Sequence, residues 1–482
     1  MRRARLAILA TLVLGGALGG LTGCASEPPA PLSPAQNAAA LEARSLDDPG
    51  LQRFIASALG RPSPARARWG LARLTLAALY YHPSLDLARA TLAAAQAAIV
   101  TAGQLPNPTL SLAGAFGSAA AAGAIPAGAA PMTLGPVIDF VLEIGDKREY
   151  RSAAARHRAA AARQDLATAA WQARARVRGA LIDLWSAEGR LSLARRRLAL
   201  QDELVGLLES RLAAGAAASP EISRERVERE QLALGLRDAE AARADARARL
   251  ASAVGVPLAA LDGAALSFDA LEHPAAPPDL AAGALRRRAL TGRSDVAAAL
   301  ARYEAAQSAL QLAIAGRTPD VTLGPGYEYD FGVNKYLLGP SLSLPIFNHN
   351  EGPIAEAVAA RQAAAARFTA LQAAILGALD EAVAYLAAAD AAVASGDALL
   401  ADARRRETQL RQSFAAGRID RPTLVAAGIE RQTAELARFA ALVRQRQALG
   451  RLEDALQQPL FEPAAALPAP EQSPRPAAGP AA

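Results

Sequence analysis

The chain has 482 residues; 52% are hydrophobic, only 4% are aromatic and 20% are charged, so the apolar fraction is mostly Ala and Leu. This apolar content excludes intrinsic disorder, and the residue types favour long, closely packed helices. The formal charge of +6 falls to +3 without the N-terminal Arg2, Arg3 and Arg5, and the remaining charges are of mixed sign along the chain. This pattern predicts solvated helix faces and no nucleic-acid partner.

Membrane crossing by helices is also unexpected from the sequence. Beyond the N-terminus, apolar runs are interrupted by charged residues or, in the uncharged stretch 90–138, by Gln, Asn, Ser, Thr and Pro, whereas a helical span needs about 20 predominantly apolar residues. If the chain crosses a membrane, we expect it to do so as part of a barrel, in which every backbone polar group is paired.

The N-terminus has the pattern of a lipoprotein signal peptide. Three arginines precede an apolar stretch at residues 6–20, which is too short for a helical span, and the sequence LTGC follows at 21–24. These four residues resemble a bacterial lipobox, which predicts cleavage after residue 23 and lipidation of Cys24. Because Cys24 is the only cysteine, an intrachain disulfide is impossible. Ala25, in place of the Asp that retains such lipoproteins at the inner membrane, predicts delivery to the outer membrane.

The body of the chain contains an internal duplication. Four landmarks recur in the same order at offsets of 211, 211, 204 and 202 residues, and they pair His82 with Arg293, Asn107 with Thr318, Gly135 with Gly339, and Gly215 with Gly417. Each copy is predicted to form a helix, two strands, a long helix, a turn and a returning helix. The copies span residues 67–255 and 283–456, with a linker at 24–66, an equatorial segment at 256–282 and a Pro/Ala-rich tail at 457–482.

The strand pairs are predicted at about residues 107–144 and 318–347. In the second pair, apolar residues alternate with polar or small residues on both sides of a turn at Asn334 and Lys335. Such strands suit an outer-membrane barrel, whereas a soluble sandwich would need a core that four widely separated strands cannot build. Four strands cannot close a barrel; two chains would supply eight and three would supply twelve, and the long helices favour the larger conduit.

Two long helices follow the strand pairs, from about residue 146 to 212 and from about 352 to 414. Asp146 and Glu149 have capping-box spacing at the first helix start, and Pro353 lies in the first turn of the second. Returning helices are predicted to begin at Ser219 and near Asp420, after hairpin tips at residues 213–219 and 415–421. A helical seam in the second long helix consists of Phe368, Leu371, Ile375, Leu379, Val383 and Leu386.

Taken together, these features resemble the TolC-type outer-membrane efflux family over essentially the whole mature chain. Residues 102–108 (AGQLPNP) resemble the entry to its first strand pair, and residues 293–296 (RSDV) resemble its RPDV segment. Residues 142–148 and 344–352 look most like the branch that serves heavy-metal resistance-nodulation-division (RND) pumps. The resemblance implies a fold of class α+β, mainly α, in which three chains build a twelve-stranded transmembrane β-barrel above a periplasmic α-barrel.

The same resemblance implies a passive exit duct for a periplasmic adaptor and an inner-membrane RND pump, anchored in outer-membrane lipid. Gly215, Ser219, Gly417, Arg418 and Asp420 correspond to tips that meet the adaptor. Asp420 and Arg418 could close the tip, or they could be a helix cap and a solvated charge; the two glycines could equally be plain helix ends. The family's gating aspartates are replaced by Thr423 and Ala426, so that gate is not carried over.

Enzyme chemistry has no support in the sequence. The four histidines, which are His82, His157, His273 and His349, form no cluster with metal-ligand spacing. We find no phosphate loop, nucleophile elbow or HExxH, so we expect neither catalysis nor a cofactor. Two alternatives stay open: a periplasmic adaptor or structural coiled-coil lipoprotein, and the duct of a type I secretion system. The exported substrate is not fixed by the sequence.

Overall fold

The computed structural model describes residues 30–60, 68–116, 132–216, 218–274 and 282–461. The signal peptide at 1–23, the lipidation site Cys24 and residues 462–482 of the predicted tail lie outside these ranges. The chain divides into two compact units, residues 1–43 and 44–482. In the first unit, the described part is helix α1 (Pro34–Glu42), whose first turn is capped by the Ser33 hydroxyl.

The second unit contains ten further helices, one 3₁₀ turn and four strands within the described ranges. In chain order they are α2 (Pro49–Leu59), α3 (Leu71–Tyr81), α4 (Pro83–Gly103), β1 (Thr109–Phe116), β2 (Met132–Leu142), α5 (Lys147–Ala213), α6 (Ser219–Val254), the 3₁₀ turn (Leu258–Leu261), α7 (Asp269–Glu272), α8 (Ala282–Thr291), α9 (Ser294–Ala315), β3 (Val321–Asp330), β4 (Val333–Leu342), α10 (Glu351–Ala415) and α11 (Arg421–Leu456). The predicted duplication is visible in this order, since the element sequence helix, strand, strand, long helix, helix occurs twice.

The segment at 24–66 is not only a linker. Asp48 caps α2 by accepting a hydrogen bond from the backbone N–H of Leu51, and the apolar residues Leu51, Phe54 and Ile55 of this helix are buried. At the other end of the chain, Leu460 and Phe461 are buried, so the predicted tail begins inside the core. Both segments are rich in Pro and Ala, so their composition gives little sign of the few large apolar side chains they contain. Those few side chains are enough to hold a short helix against the core.

Helices α5 and α10 match the two predicted rods, with 67 and 65 residues. At 1.5 Å per residue each is about 100 Å long. The returning helices α6 and α11 each contain 36 residues, which agrees with the duplication. The predicted seam of α10 is largely confirmed: Ile375 and Leu379 are buried, whereas Val383 is 43% exposed.

The capping box predicted at the start of α5 is wrong. The helix begins at Lys147 as expected, but Asp146 has a φ of 59° and its side chain caps no backbone N–H. A capping side chain requires the N-cap residue in an extended conformation, which the left-handed backbone of Asp146 does not provide. Asn350, the equivalent residue before α10, also has a positive φ, 64°, and its amide donates to the carbonyl of Ala313.

The four strands form one antiparallel sheet in the order β1-β2-β3-β4. The turn between β3 and β4 lies at Phe331 and Gly332, not at Asn334 and Lys335 as predicted. Both turn residues have positive φ, 44° and 95°, which is the conformation of a two-residue hairpin turn matched to strand twist. Asn334 and Lys335 instead pair with Tyr329 and Glu328 in the ladder.

The main core lies where α3, α5, α10 and α11 meet the equatorial segment. Leu261 and Leu271 of that segment are fully buried, and Trp69 pairs with it through backbone hydrogen bonds to Ala265 and Ser267. Residues 275–281 of the predicted equatorial segment lie outside the described ranges. Between α5 and α11 the helices approach closely at Gly189, where a Cβ would overlap the ring of Phe439.

Within each helical hairpin, ion pairs join the long helix to the returning helix. Of the α6 residues, all of which are described, none between Ile222 and Ala246 is buried. Ion pairs cross from one helix to the other instead, as Arg243–Glu188, Arg229–Asp202 and Arg226–Glu209 in the first hairpin and Arg404–Glu435, Arg431–Glu407 and Arg438–Asp397 in the second. We call these six contacts the hairpin ladder.

Two helices, α4 and α10, are long and apolar enough to cross a membrane when judged by length and composition alone. The expectation of no such helix was therefore too strict. In both, only 17% of the most apolar window is buried, and α10 is about three times longer than a bilayer crossing needs. Both helices are rich in alanine, which contributes to their hydropathy and equally suits close packing against neighbouring helices.

Candidate functional site

One face of the sheet is apolar and exposed. The register places Leu110 opposite Ile138, Phe140 opposite Leu323, and Tyr327 opposite Tyr336, all on this face. Leu110, Leu338 and Tyr336 are 67%, 68% and 86% exposed. Because an apolar patch of this kind is rarely left in water, the face is expected to meet lipid or protein.

The opposite face carries the polar side chains of the strands. Glu328 and Asp330 of β3 lie next to Lys335 of β4, whose ammonium is within 3.4 Å and 2.5 Å of their carboxylates. Thr133 of β2 donates to the other oxygen of Asp330 at 2.7 Å. The sheet therefore separates an apolar face from a hydrogen-bonded polar face, as the alternation in the sequence predicts.

The two outer strands, β1 and β4, each have one neighbour among the described strands. Their free edges present unpaired backbone N–H and C=O groups, which natural proteins cover or pair. Since all eight residues of β1 and all ten of β4 are exposed, the edges are open to another strand. The sheet is thus an incomplete unit that can continue on both sides.

The far ends of the two hairpins have the same backbone geometry. Gly215 and Gly417 both have φ of 69°, after α5 and α10. The next residues, Ala216 and Arg418, donate their N–H groups to the carbonyls of Arg211 and Ser413, which completes a Schellman motif in each case. A Cβ at either glycine would meet nothing within 4 Å, so the glycines serve the backbone turn and leave an open surface.

Asp420 joins the tip of the second hairpin to the first. One carboxylate oxygen accepts from the N–H and hydroxyl of Thr423 at 3.0 Å and 2.6 Å, and the other accepts from Arg211 of α5 at 2.7 Å. The hydrogen bonds from Thr423, followed by that from Arg211, lower the pKa of Asp420 to about 2. Asp420 is therefore both a helix cap and half of an ion pair between hairpins.

A second ion pair joins the same two hairpins, but here the arginine belongs to the second hairpin and the carboxylate to the first. Arg421 of α11 donates from Nε to Glu203 of α5 at 2.9 Å, and its guanidinium also lies 5.9 Å from the ring centre of Phe414. Beneath these pairs lies a small apolar cluster, separate from the main core, which we call the tip cluster. It consists of Leu204, Leu208, Ile222 and Val425.

The structure brings together only some of the predicted tip residues. Asp420 is bound to the first hairpin, whereas Arg418 is exposed and no described residue pairs with its side chain. Ser219 is the first residue of α6 and is exposed; its hydroxyl does not cap the helix. Sequence reasoning missed Arg211 and Glu203, because nothing in a local pattern relates residues that lie about 200 positions from their partners.

A buried ionic centre joins the two repeats at the other end of α11. Glu453, which is fully buried, accepts from Arg174 and Arg178 of α5 at 2.8 Å and 2.6 Å. Burial opposes ionisation of Glu453, but hydrogen bonds and charge from the two arginines outweigh it and lower its pKa. The backbone N–H groups of Leu460 and Phe461 also donate to Glu453, so the centre fixes the chain after α11.

Metal ligands do not converge within the described part of the chain. No group of three or more His, Cys, Asp or Glu side chains there has an arrangement that could hold a metal ion. His349 lies in the connection between β4 and α10 and is exposed, with its Nδ1 3.8 Å from a carboxylate oxygen of Glu351.

The sequence of residues 75–256 matches a family model described as "Outer membrane efflux protein". The pyoverdine export outer membrane protein OpmQ of Pseudomonas aeruginosa is 34% identical over 170 residues, which cover 33% of this chain and 34% of that protein. The matched region thus spans about a third of this curated relative.

Solved structures resemble the chain over most of its length. The outer membrane protein VceC of Vibrio cholerae superimposes with a TM-score of 0.64 at 21% identity, covering 81% of this chain and 97% of that one. A membrane protein of Pseudomonas aeruginosa gives 0.65 at 20% identity, covering 89% and 98%. At these identities the likeness concerns the fold, which is the fold of these outer-membrane proteins.

Proposed function

We propose that this chain, which belongs to the TolC-type outer-membrane efflux family, is the outer-membrane exit duct of a tripartite efflux system. The observation that carries the proposal is the sheet, with one exposed apolar face, one polar face and two open edges. Such a sheet is suited to a bilayer only after its edges are paired, because unpaired backbone groups are costly in lipid.

Three copies would complete the barrel. Joining β4 of one chain to β1 of the next gives twelve strands, enough for an open lumen, whereas eight would be filled by side chains. The apolar face would then meet lipid and the polar face would line water. The homotrimer is therefore part of the proposal, and the paired hairpins would form its periplasmic tunnel.

The hairpin tips are the proposed meeting point with a periplasmic adaptor. Gly215, Ser219, Gly417 and Arg418 are exposed there, while Asp420 and Arg421 tie the second hairpin to the first. Breaking these ties would let the hairpins separate at the tip. An inner-membrane RND pump is the proposed energy source, and the duct itself is proposed to be passive and without enzymatic activity.

Lipidation of Cys24 is proposed to anchor each chain to outer-membrane lipid. The support is the sequence at residues 1–24, with its basic start, short apolar stretch and single cysteine. Palmitate labelling of the wild type, and its loss in Cys24→Ser, would test the anchor directly. Labelling that persists in the variant would refute it.

Heavy-metal cations are the proposed cargo, on the motifs at residues 142–148 and 344–352. The curated relative is named for pyoverdine export, so a siderophore is the competing cargo. Deleting the gene and measuring growth with copper, silver, zinc or cobalt, together with siderophore secretion, would separate the two. A secretion duct for proteins would instead leave both readings unchanged.

The assembly is tested by extracting the unheated protein in detergent, measuring its mass by light scattering and recording conductance in a planar bilayer. A conducting species of three times the mature mass is the expected result. A non-conducting monomer that binds an inner-membrane partner would favour the adaptor alternative. That alternative already has to account for two hairpins and four strands in one chain, whereas an adaptor would have one hairpin between lipoyl-like halves.

A further inference from the structure

Every charged residue in the four strands lies on the polar face of the sheet. β1 contains none, β2 contains Asp139, β3 contains Glu328 and Asp330, and β4 contains Lys335. Register and alternation place all four on the same side. Three acidic residues against one basic residue give a net charge of −2 per chain on this face.

The charged side chains of β3 and β4 form ion pairs with one another. Lys335 contacts both Glu328 and Asp330, and Asp330 also accepts from Thr133. These residues lie next to the turn at Phe331 and Gly332, at the end of the sheet farthest from the helices. Because their only cation is shared between two carboxylates, this group retains about one negative charge in a compact network.

Asp139 differs from this group because no described residue forms a hydrogen bond or ion pair with its carboxylate. It lies in β2 directly opposite Thr109 of β1. On its other side is Gly324 of β3, where an added Cβ would lie 2.7 Å from Oδ1 of Asp139. Because Gly324 has no side chain, the carboxylate of Asp139 can occupy the space beside it.

We propose that Asp139 is a specificity-determining residue, which sets the charge preference of solutes that pass through the barrel. The inference rests on the proposed duct. In a trimer the three Asp139 carboxylates would stand at one height around the lumen, as rings of acidic side chains do in cation-selective channels. The duct would then favour cationic solutes over anionic ones.

The expected size of the effect follows from the dimensions of the barrel. Twelve strands spaced about 4.8 Å apart and tilted by about 40° give a radius of roughly 12 Å at the backbone, so a carboxylate reaching inward lies roughly 8 Å from the axis. One charge at that distance in water changes the local population of a monovalent ion about twofold. The Debye length is about 10 Å at 0.1 M salt, so the ring acts across the lumen only at moderate ionic strength.

The connection between β1 and β2 does not supply a competing charge. Residues 117–131 are Ala, Gly, Ser, Ile and Pro, with no ionisable side chain. Asp139 is thus the one uncompensated charge of the β1–β2 pair, and it can be changed without breaking a described ion pair.

The test measures the reversal potential of the reconstituted full-length protein in a KCl gradient near 0.1 M, for wild type and three variants. Asp139→Asn removes the ring. Asp139→Asn combined with Thr109→Asp moves the carboxylate to the neighbouring strand at the same height. Thr109→Asp alone adds a second ring and leaves Asp139 in place.

We expect a wild-type preference for K⁺ over Cl⁻, a permeability ratio lowered about twofold or more in Asp139→Asn, recovery in the relocated variant, and an increase in Thr109→Asp. All differences should shrink at high salt. An Asp139→Asn trimer that conducts with the wild-type ratio would overturn the inference and leave the duct intact. If Asp139→Asn does not assemble, an unchanged ratio in Thr109→Asp has the same meaning. Absence of conductance in the wild type would overturn the proposed function itself, and the inference with it.

Discussion

The Arg211 guanidinium donates a hydrogen bond of 2.7 Å to the carboxylate of Asp420, across 209 residues of chain. The contact joins the tip of the first repeat to that of the second, beside a cap that the same carboxylate provides to Thr423. The tip of the second hairpin is therefore stabilised locally and from its neighbour by one side chain.

Replacing Asp420 by Ala should loosen the start of α11. The variant loses the N-cap, which is worth about 1 kcal/mol, and leaves Arg211 without its partner. We expect faster hydrogen exchange in peptides covering residues 418–428 and a change in resting conductance. Asp402→Ala is the control, because the ion pair of Asp402 with Arg405 joins residues of one exposed helix surface, within the same helix. Equal exchange in both variants would refute a special role for Asp420.

Acid should loosen the tip over a defined interval. The pKa of Asp420 is lowered from 3.8 to about 2, so its ionised form is favoured in the folded state. The stabilisation is fully present above about pH 4 and is lost as the pH falls toward 2. Hydrogen exchange of the tip peptides at fixed low pH values should show this loss in the wild type and not in Asp420→Ala. No change is expected between pH 6 and 8.

Replacing Glu453 by Gln should destabilise the whole second unit. Arg174 would keep its buried position without a compensating charge, and Arg178 would keep only its ion pair with Asp454. Breaking a buried pair in this way costs about 3–5 kcal/mol. Thermal unfolding should shift strongly downward. Asp380→Asn removes the exposed pair with Arg286 and should change stability by less than about 1 kcal/mol. Similar shifts in the two variants would contradict the importance assigned to the buried centre.

Replacing Gly189 by Ala should disturb the contact between α5 and α11. Phe439 lies over this glycine and packs against Trp185, with ring centres 5.0 Å apart. Overpacking of this kind costs about 1–3 kcal/mol. Gly206 on the same helix has nothing within 4 Å of an added Cβ, so Gly206→Ala should be neutral or stabilising. Combining Gly189→Ala with Phe439→Leu should recover part of the loss in thermal stability.

Two neighbouring leucines of β4 should respond oppositely to the same substitution. Leu338 lies on the apolar face and Leu337 on the polar face. If the apolar face meets lipid, Leu338→Arg costs about 2–4 kcal/mol near the bilayer centre and should reduce the yield of heat-modifiable trimer. Leu337→Arg should assemble nearly as well as the wild type. The reverse order would mean that the faces are assigned the wrong way round.

Much of the fold was predictable because its patterns are local. The alternation of apolar and polar residues identified β3 and β4, and the order of landmarks identified two equivalent hairpins with tips at Gly215 and Gly417. Each strand and each tip depends on residues within about ten positions of one another, where backbone geometry and side-chain spacing are directly coupled. The duplication is recognised because such local motifs recur about 200 positions later.

The errors arose where a residue adopted a left-handed backbone conformation that its local sequence pattern did not indicate. Phe331 takes a positive φ at the β3–β4 turn, although Asn334 has the side chain more often found there. Asp146 takes a positive φ where its spacing to Glu149 suggested an extended cap. In both cases the strands and helices on either side determine the backbone, and local preference is overridden.

The position of the candidate site in the chain was predictable from the sequence, but its long-range contacts were not. Local patterns indicate the tip residues but not the partners of Asp420 and Arg421, since Arg211 and Glu203 belong to the other repeat. The same holds for Glu453 and Arg174, which are 279 positions apart. Long-range pairs of charges carry no periodicity, so a single sequence contains no signal for them.

The hairpin ladder has a consequence for how the chain reaches this structure. Alanine side chains all have the same small size and shape. Two alanine-rich helices can therefore shift by one turn relative to one another with little change in packing. Sliding α6 along α5 would separate Arg229 from Asp202 and Arg243 from Glu188 together. Each exposed pair contributes little alone, but their shared loss penalises every misaligned arrangement. The hairpin ladder therefore determines the register of the two helices. Packing of alanine side chains alone would allow several registers of nearly equal energy.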